Sequence, residues 1–279
     1  MKRSFRWSES PIAAAFVVAV FLATACSAGQ GVASPTPASR SLAAGPTTSA
    51  PATSSGSSAS ASAMSPARMA LHDGALAAGA YTFQPFAGRD AMGLCAGQAA
   101  CKESSADDSI RVTVTLPDGW AGIGNAVIPS VERYSPPGGG SLIISRGGWL
   151  YSRPCGGTGP DIPTGTTVDE FVTALVDHPD LDVTSPAAVT LAGYSGTYLE
   201  LRAPANTTTD ELGPKPGGCN YYFVWEPGIY AQGPNALWRI WVLDVNGIRV
   251  VVRADSFPGT SPQIQAQLMA IVDSIQIEP

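Results

Sequence analysis

Residues 236–255 read ALWRIWVLDVNGIRVVVRAD, and the fold turns on this stretch. Asn246 and Gly247 separate two apolar runs, and both tolerate the positive φ that a two-residue type I′ turn requires. Counting outward from the turn sets a register: Val245 faces Ile248, Leu243 faces Val250, and Trp241 faces Val252. The alternate positions pair Asp244 with Arg249, Val242 with Val251, and Ile240 with Arg253. One face of this hairpin is wholly apolar and the other half apolar. That pattern predicts a sheet with a full core on one side and partial cover on the other.

Two helices flank the strands. Thr167 to Glu170 forms a capping box, with Asp169 and Glu170 complementing the helix dipole. Val168, Phe171, Val172, Leu175 and Val176 follow as an apolar stripe, and His178 with Pro179 ends it. The second helix starts at Ser261 as N-cap, with Pro262 in the first helical position. Its apolar side carries Ile264, Leu268, Ile271, Val272 and Ile275. Further strands are expected at 109–116, 142–145, 188–191, 198–202 and 220–225. Strands, a helix, more strands and a closing helix make an α+β fold, a mainly antiparallel sheet with helices packed on it.

Upstream of the folded part lies an export signal. Lys2, Arg3 and Arg6 precede the apolar run of residues 12–22, and small residues Ala23, Thr24 and Ala25 lead to Cys26. The run is shorter than the roughly 20 apolar residues of a membrane-spanning helix. Residues 22–26, LATAC, resemble the lipobox of bacterial lipoproteins, although Ala23 stands where that pattern prefers Leu, Val or Ile. The resemblance implies that Cys26 is lipidated after cleavage behind Ala25. Cysteine parity agrees: removing Cys26 leaves Cys95, Cys101, Cys155 and Cys219, an even number suited to disulfides in an oxidising compartment. The expected pairs are Cys95–Cys101 within one short loop and Cys155–Cys219 between two Gly/Pro-rich loops. The chain therefore divides into a signal peptide at 1–25, a tether at 26–75 and one extracytoplasmic domain at 76–279. The tether is almost wholly Ala, Ser, Thr, Pro and Gly, which cannot bury enough surface to offset chain entropy, so it is expected to be disordered.

Charge excludes one class of partner. From residue 76 onward, 11 Lys and Arg stand against 20 Asp and Glu, a net charge of −9. Nucleic acids and anionic membrane surfaces want a basic patch instead. The membrane connection is expected only through the lipid anchor.

The strand ending in Pro117, Asp118, Gly119 and Trp120, the Asp244–Val251 hairpin and the closing helix Ile271–Ile275 together resemble the PsbP/Mog1-like fold, including actinobacterial lipoproteins that carry it. The resemblance covers roughly residues 105–277. It implies an α/β/α arrangement and a non-enzymatic binding or assembly module, with no catalytic residues to carry over.

Catalytic motifs fail on inspection. Gly193-Tyr194-Ser195-Gly196-Thr197 has Thr197 where a nucleophile elbow needs Gly, and a hairpin corner explains it better. Of two histidines only His178 lies in the domain, at a helix end where a cation would favour the dipole. No cofactor and no metal is expected: the cysteines lack zinc spacing, and Asp244 to Gly247 lacks the later ligands of a calcium loop. The candidate binding face is aromatic, namely Trp149, Tyr151, Tyr222, Trp225 and Trp238. The expected function is a lipid-anchored, non-catalytic binding or assembly module for an envelope protein or small ligand. The alternatives are an envelope-signalling sensor and an enzyme whose site is built from scattered carboxylates.

Overall fold

The computed structural model describes residues 67–86, 109–124, 126–130, 138–155, 159–208, 218–225, 229–231 and 233–279. The expected signal peptide, Cys26, most of the expected tether and the expected Cys95–Cys101 pair lie outside the described residues.

The architecture is α+β, as the pattern requires. The main sheet runs Gly74–Leu76, Trp120–Ile123, Ala126–Pro129, Gly140–Ser145, Ile248–Ser256, Leu237–Val245, Tyr194–Arg202 and Asp182–Val183, with Ala187–Leu191 also paired to Tyr194–Arg202. Every neighbouring pair in it is antiparallel. A smaller sheet orders Met69–Ala70, Gly79–Phe83, Arg111–Leu116 and Gln276–Glu278. The central hairpin has the register counted from Asn246 and Gly247, from Val245 opposite Ile248 to Ile240 opposite Arg253. Both turn residues have positive φ, +55° and +85°. The corner at 193–197 is likewise a hairpin, turning at Ala192 and Gly193. Gly196 then permits close approach, because a Cβ there would lie 2.2 Å from the Val242 carbonyl oxygen.

Two helices cover opposite faces of the main sheet. Helix α1 (Val168–Val176) has the predicted capping box at Thr167 and Glu170 and buries Phe171, Val172 and Leu175. Val176 is 42% exposed, so the stripe is narrower than its apolar spacing suggests. Helix α2 (Pro262–Asp273) has Ser261 as N-cap and buries Leu268, Ile271 and Val272. Ile264 is half-buried, and Ile275, although buried, follows the C-cap Ser274. The first core joins α2 and the smaller sheet to Trp241, Leu243, Val245, Val250 and Val252. The second joins α1 to Trp238, Ile240, Val242, Val251 and the loops around Leu150 and Trp225.

Two expectations need correction and a third is refined. Residues 67–75 were assigned by composition to the tether, yet Met69–Ala70 and Gly74–Leu76 include strand residues from that span. Their order comes from pairing with Gly79–Phe83 and Trp120–Ile123, which composition cannot reveal. The strand expected at 198–202 begins at Tyr194, directly after its turn. Finally, cover on the half-apolar hairpin face is partial, as expected, with Asp244 exposed beside the turn, but it reaches further than the charges suggest. Arg249 and Arg253, the charged residues thought to face partial cover, are 8% and 4% exposed beneath the second layer.

Candidate functional site

The second layer is built by residues that pair without forming long strands. Tyr222–Trp225 and Ile229–Ala231 make a short antiparallel hairpin. The segment 150–155 runs alongside it: the Tyr151 N–H donates to the Val224 carbonyl at 3.0 Å, and the Phe223 N–H donates to the Pro154 carbonyl at 3.0 Å. Cys155 and Cys219 are disulfide-bonded as expected, 64 residues apart. On loop-closure entropy alone a bridge of that span contributes about 4 kcal/mol.

Alternation sorts the rings. Tyr222 and Val224 point inward, while Phe223 and its cross-strand partner Tyr230 stand on the outer side with centroids 5.2 Å apart. Tyr221 has φ +53°, a left-handed conformation uncommon for an aromatic residue. Its ring meets Tyr230 edge-on at 4.9 Å and Phe223 at 6.1 Å. Tyr151 completes the group, 5.1 Å from Phe223. Tyr221, Phe223 and Tyr230 are half-buried, and Tyr151 forms the floor between them and the core.

The rings named from the sequence divide differently. Tyr222, Trp225 and Trp238 are core side chains, each at most 1% exposed, and so present no surface. Trp225 stands edge-on to Phe171 at 5.6 Å and to Trp238 at 5.3 Å. The Tyr222 hydroxyl donates to the Asp180 carbonyl. Burial first, then the charges of Asp180 and Asp182, holds that phenol well above its usual range. Trp149 is half-buried, and Tyr151 packs against the outer group through Phe223. Phe223 was missed. A straight strand over 220–225 would put Tyr221, Phe223 and Trp225 on one face. The kink at Tyr221 and a bulge between Phe223 and Trp225 turn Trp225 inward.

Polar groups beneath the layer hold it in place. Arg249 donates to five backbone carbonyls, those of Arg146, Gly147, Thr164, Gly165 and Thr167, at 2.8–3.4 Å. It also lies 4.7 Å over the Phe171 ring, so one guanidinium fixes the loop that enters α1. Asp244, opposite Arg249 in the register as expected, accepts the Gly247 N–H at 2.6 Å. Arg253 donates through Nη2 to Asp255 at 2.8 Å and stacks 4.1 Å over Trp238. Ser141 donates to the same Asp255 oxygen at 2.7 Å. Burial pushes the Asp255 carboxyl up, against the opposing pull of Arg253 and Ser141. Arg253 Nε and Nη1, Asp255 Oδ1 and Trp225 Nε1 are buried without a hydrogen-bond partner among the described residues.

His178 is buried, and both ring nitrogens are engaged by backbone. Asp180 N–H donates to Nδ1 at 3.1 Å, so Nε2 carries the proton and donates to the Tyr151 carbonyl at 2.9 Å. It is a neutral peg under the aromatic group, which replaces the reading of a cation at a helix end.

No protein-family model and no curated protein matches the chain. Among solved structures it is similar to LpqN of Mycobacterium tuberculosis, described as involved in cell envelope biogenesis, at 14% identity over 61% of this chain and 85% of that one, with a TM-score of 0.34. A Bacteroides thetaiotaomicron protein shares 10% identity over 60% of this chain and 45% of its own, at a TM-score of 0.29. The cyanobacterial PsbP of Synechocystis sp. PCC 6803 shares 13% identity over 60% of this chain and 86% of its own, at a TM-score of 0.28. No helix among the described residues is long and apolar enough to cross a membrane.

Proposed function

We propose that the chain is a lipid-anchored binding module of the cell envelope, acting outside the cytoplasmic membrane and carrying no catalytic machinery. Its docking surface is the group Tyr221, Phe223 and Tyr230 over Tyr151, and its ligand is a partner protein. The observation that carries the reading is that these rings are half-exposed yet rigidly placed. The Cys155–Cys219 bridge, the pairing of 150–155 and the His178 peg fix them before any partner arrives. Pre-placed aromatic rings lose little entropy on binding and dominate protein interfaces.

Export and lipidation are supported by the signal-like N-terminus and by Cys26. The reading of a non-catalytic module draws support from the structural employment of several carboxylates among the described residues. Asp73 accepts from Gly124 N–H, Asp118 from Ala78 N–H, Asp161 from Ser152 and Glu200 from Tyr198; Glu278 pairs with Arg68.

The test places a photo-crosslinking amino acid at Phe223 in the full chain at the native cell surface, with a second position at exposed Thr184 as control. A discrete adduct from position 223 alone, lost on adding Tyr221→Ala and Tyr230→Ala, is the expected result, with affinity falling about tenfold or more per ring. If the Tyr221→Ala/Phe223→Ala/Tyr230→Ala variant is displayed, folded and fully functional, the surface is not the docking site.

A further inference from the structure

Ala187–Leu191 stands at an edge of the main sheet. Ala187–Leu191 pairs on one side with Tyr194–Tyr198, and among the described residues no strand pairs its other side. The two-residue turn at Ala192 and Gly193 makes Leu191–Tyr194, Val189–Gly196 and Ala187–Tyr198 the hydrogen-bonded pairs. The N–H and C=O groups of Ala188 and Thr190 therefore point outward, and both residues are exposed.

Sheet edges are ordinarily guarded by charge, shortness or a bulge. Guards are present elsewhere in this chain: the opposite edge of the main sheet, Gly74–Leu76, is three residues long, and the smaller sheet is bordered by the Arg68–Glu278 ion pair. The Ala187–Leu191 edge has none of these within the strand, its proline, Pro186, standing just before it. No charged residue occurs from Val183 to Leu199, in a chain whose formal net charge is −6. Its α2-side face continues the first core outward through half-buried Val189, Leu191, Tyr194 and Tyr198.

We propose that this edge pairs with the same edge of a second copy, antiparallel about a two-fold axis through Val189. The pattern is self-complementary. Ala188 of each copy meets Thr190 of the other, so four main-chain hydrogen bonds form through the outward groups. Val189 meets Val189 in the intervening non-hydrogen-bonded position, where opposed side chains approach most closely. On the same face each Leu191 meets the other copy's Ala187, large against small. Pro186 offers no N–H at one end and the turn closes the other, so the ladder is five residues long and a slipped register loses bonds. Two acidic copies meet here without opposing charges. The contact is small, and a dissociation constant on the order of micromolar is expected.

The full chain, in detergent with micelles in excess over chains, is examined by sedimentation and by oxidative crosslinking of Val189→Cys and Thr190→Cys variants. The expected result is a concentration-dependent dimer and at least about tenfold more disulfide-linked dimer from Val189→Cys than from Thr190→Cys. Peptide mapping confirms that each link joins the substituted position of one copy to the same position of the other. Ala188→Pro removes an outward N–H that the fold itself does not use, and should abolish the dimer while leaving the circular dichroism unchanged. Thr190→Lys, which keeps the backbone intact and places two cations across the axis, should weaken it at least about tenfold. A monomer up to about 100 times the expected constant overturns the proposal. A dimer that survives both variants, or that links no better through position 189 than 190, overturns it equally.

Discussion

The two cores of this domain lie on opposite faces of one sheet and are made by different means. On the α2 side, Trp241, Leu243, Val245, Val250 and Val252 meet apolar side chains of α2 and the smaller sheet. On the α1 side the same two strands present Arg249, Arg253 and Asp255 among tryptophans, and their cover is a disulfide-tied set of loops. The first is held by area removed from water, which is non-directional and tolerant of detail. The second also depends on directional bonds among buried polar groups, some of whose atoms are left without a partner among the described residues. Oil alone closes one side of the sheet, and geometry is needed to close the other. The proposed docking rings sit over the second side, where that geometry makes them rigid.

The largest expected effect breaks this contrast at its centre. Arg253→Met leaves Asp255 buried without its cation and should cost about 3–5 kcal/mol by urea unfolding. Asp255→Leu added to it should recover most of that loss, since a well-packed apolar pair is often neutral or better than a buried ion pair. Arg253 is suited to this exchange because two of its nitrogens lack hydrogen-bond partners among the described residues. In the first core, Leu243→Ala should cost about 2–5 kcal/mol and no second substitution of a charged residue should restore it. If Arg253→Met costs under about 1 kcal/mol, the second core is ordinary oil and the distinction fails.

The same contrast explains how much of the molecule was legible beforehand. Period-two alternation and the Asn246–Gly247 turn carried the hairpin register, both faces of it, and the first core. The capping box and the proline at the first helical position carried the two helix starts. The second core was opaque because its determinants are non-local. Arg249 is buried by carbonyls from residues 146–167, some 80 to 100 positions away in the chain, and nothing in the hairpin's own pattern announces them. Tyr222, Trp225 and Trp238 drew attention for their chemistry, yet a kink at Tyr221 and one bulge decide which rings face out. The disulfide was legible because parity and matching loops constrain it, whereas Phe223 looked like any strand residue.

A middle-sized effect sharpens the comparison by striking both cores at once. Gly247 has φ +85°, and a Cβ there would meet nothing within 4 Å. Gly247→Val therefore adds no clash, only the strain of a β-branched residue in the left-handed region, about 1–3 kcal/mol. Because the hairpin supplies both faces, fluorescence from Trp241 in the first core and Trp238 in the second should be lost in one transition at lower urea. Separate midpoints for the two tryptophans would show that the cores unfold independently.

The smallest effect belongs to the second layer alone and is read through pH. Glu170 accepts from the Thr166 and Thr167 N–H groups at 2.9 and 3.0 Å and from the Thr167 hydroxyl, closing the box that starts α1. These bonds, the Thr167 backbone first, hold its carboxyl below the ordinary value near 4.5. A carboxyl depressed in the folded state stabilises it above the unfolded value, and that contribution is lost as the pH falls through the folded one. Glu170→Gln keeps a side chain able to complete the box but removes the charge. The wild type should therefore exceed Glu170→Gln in urea midpoint at pH 7, and the gap should close as the pH falls below about 4.5. The group is exposed, so the gap is modest and shrinks in high salt. Taking the difference between the two proteins cancels the other carboxylates, which titrate alike in both. A gap that is constant from pH 7 to pH 3 would mean that the glutamate acts by shape and hydrogen bonding only, and that its charge contributes nothing to seating α1 on the second core.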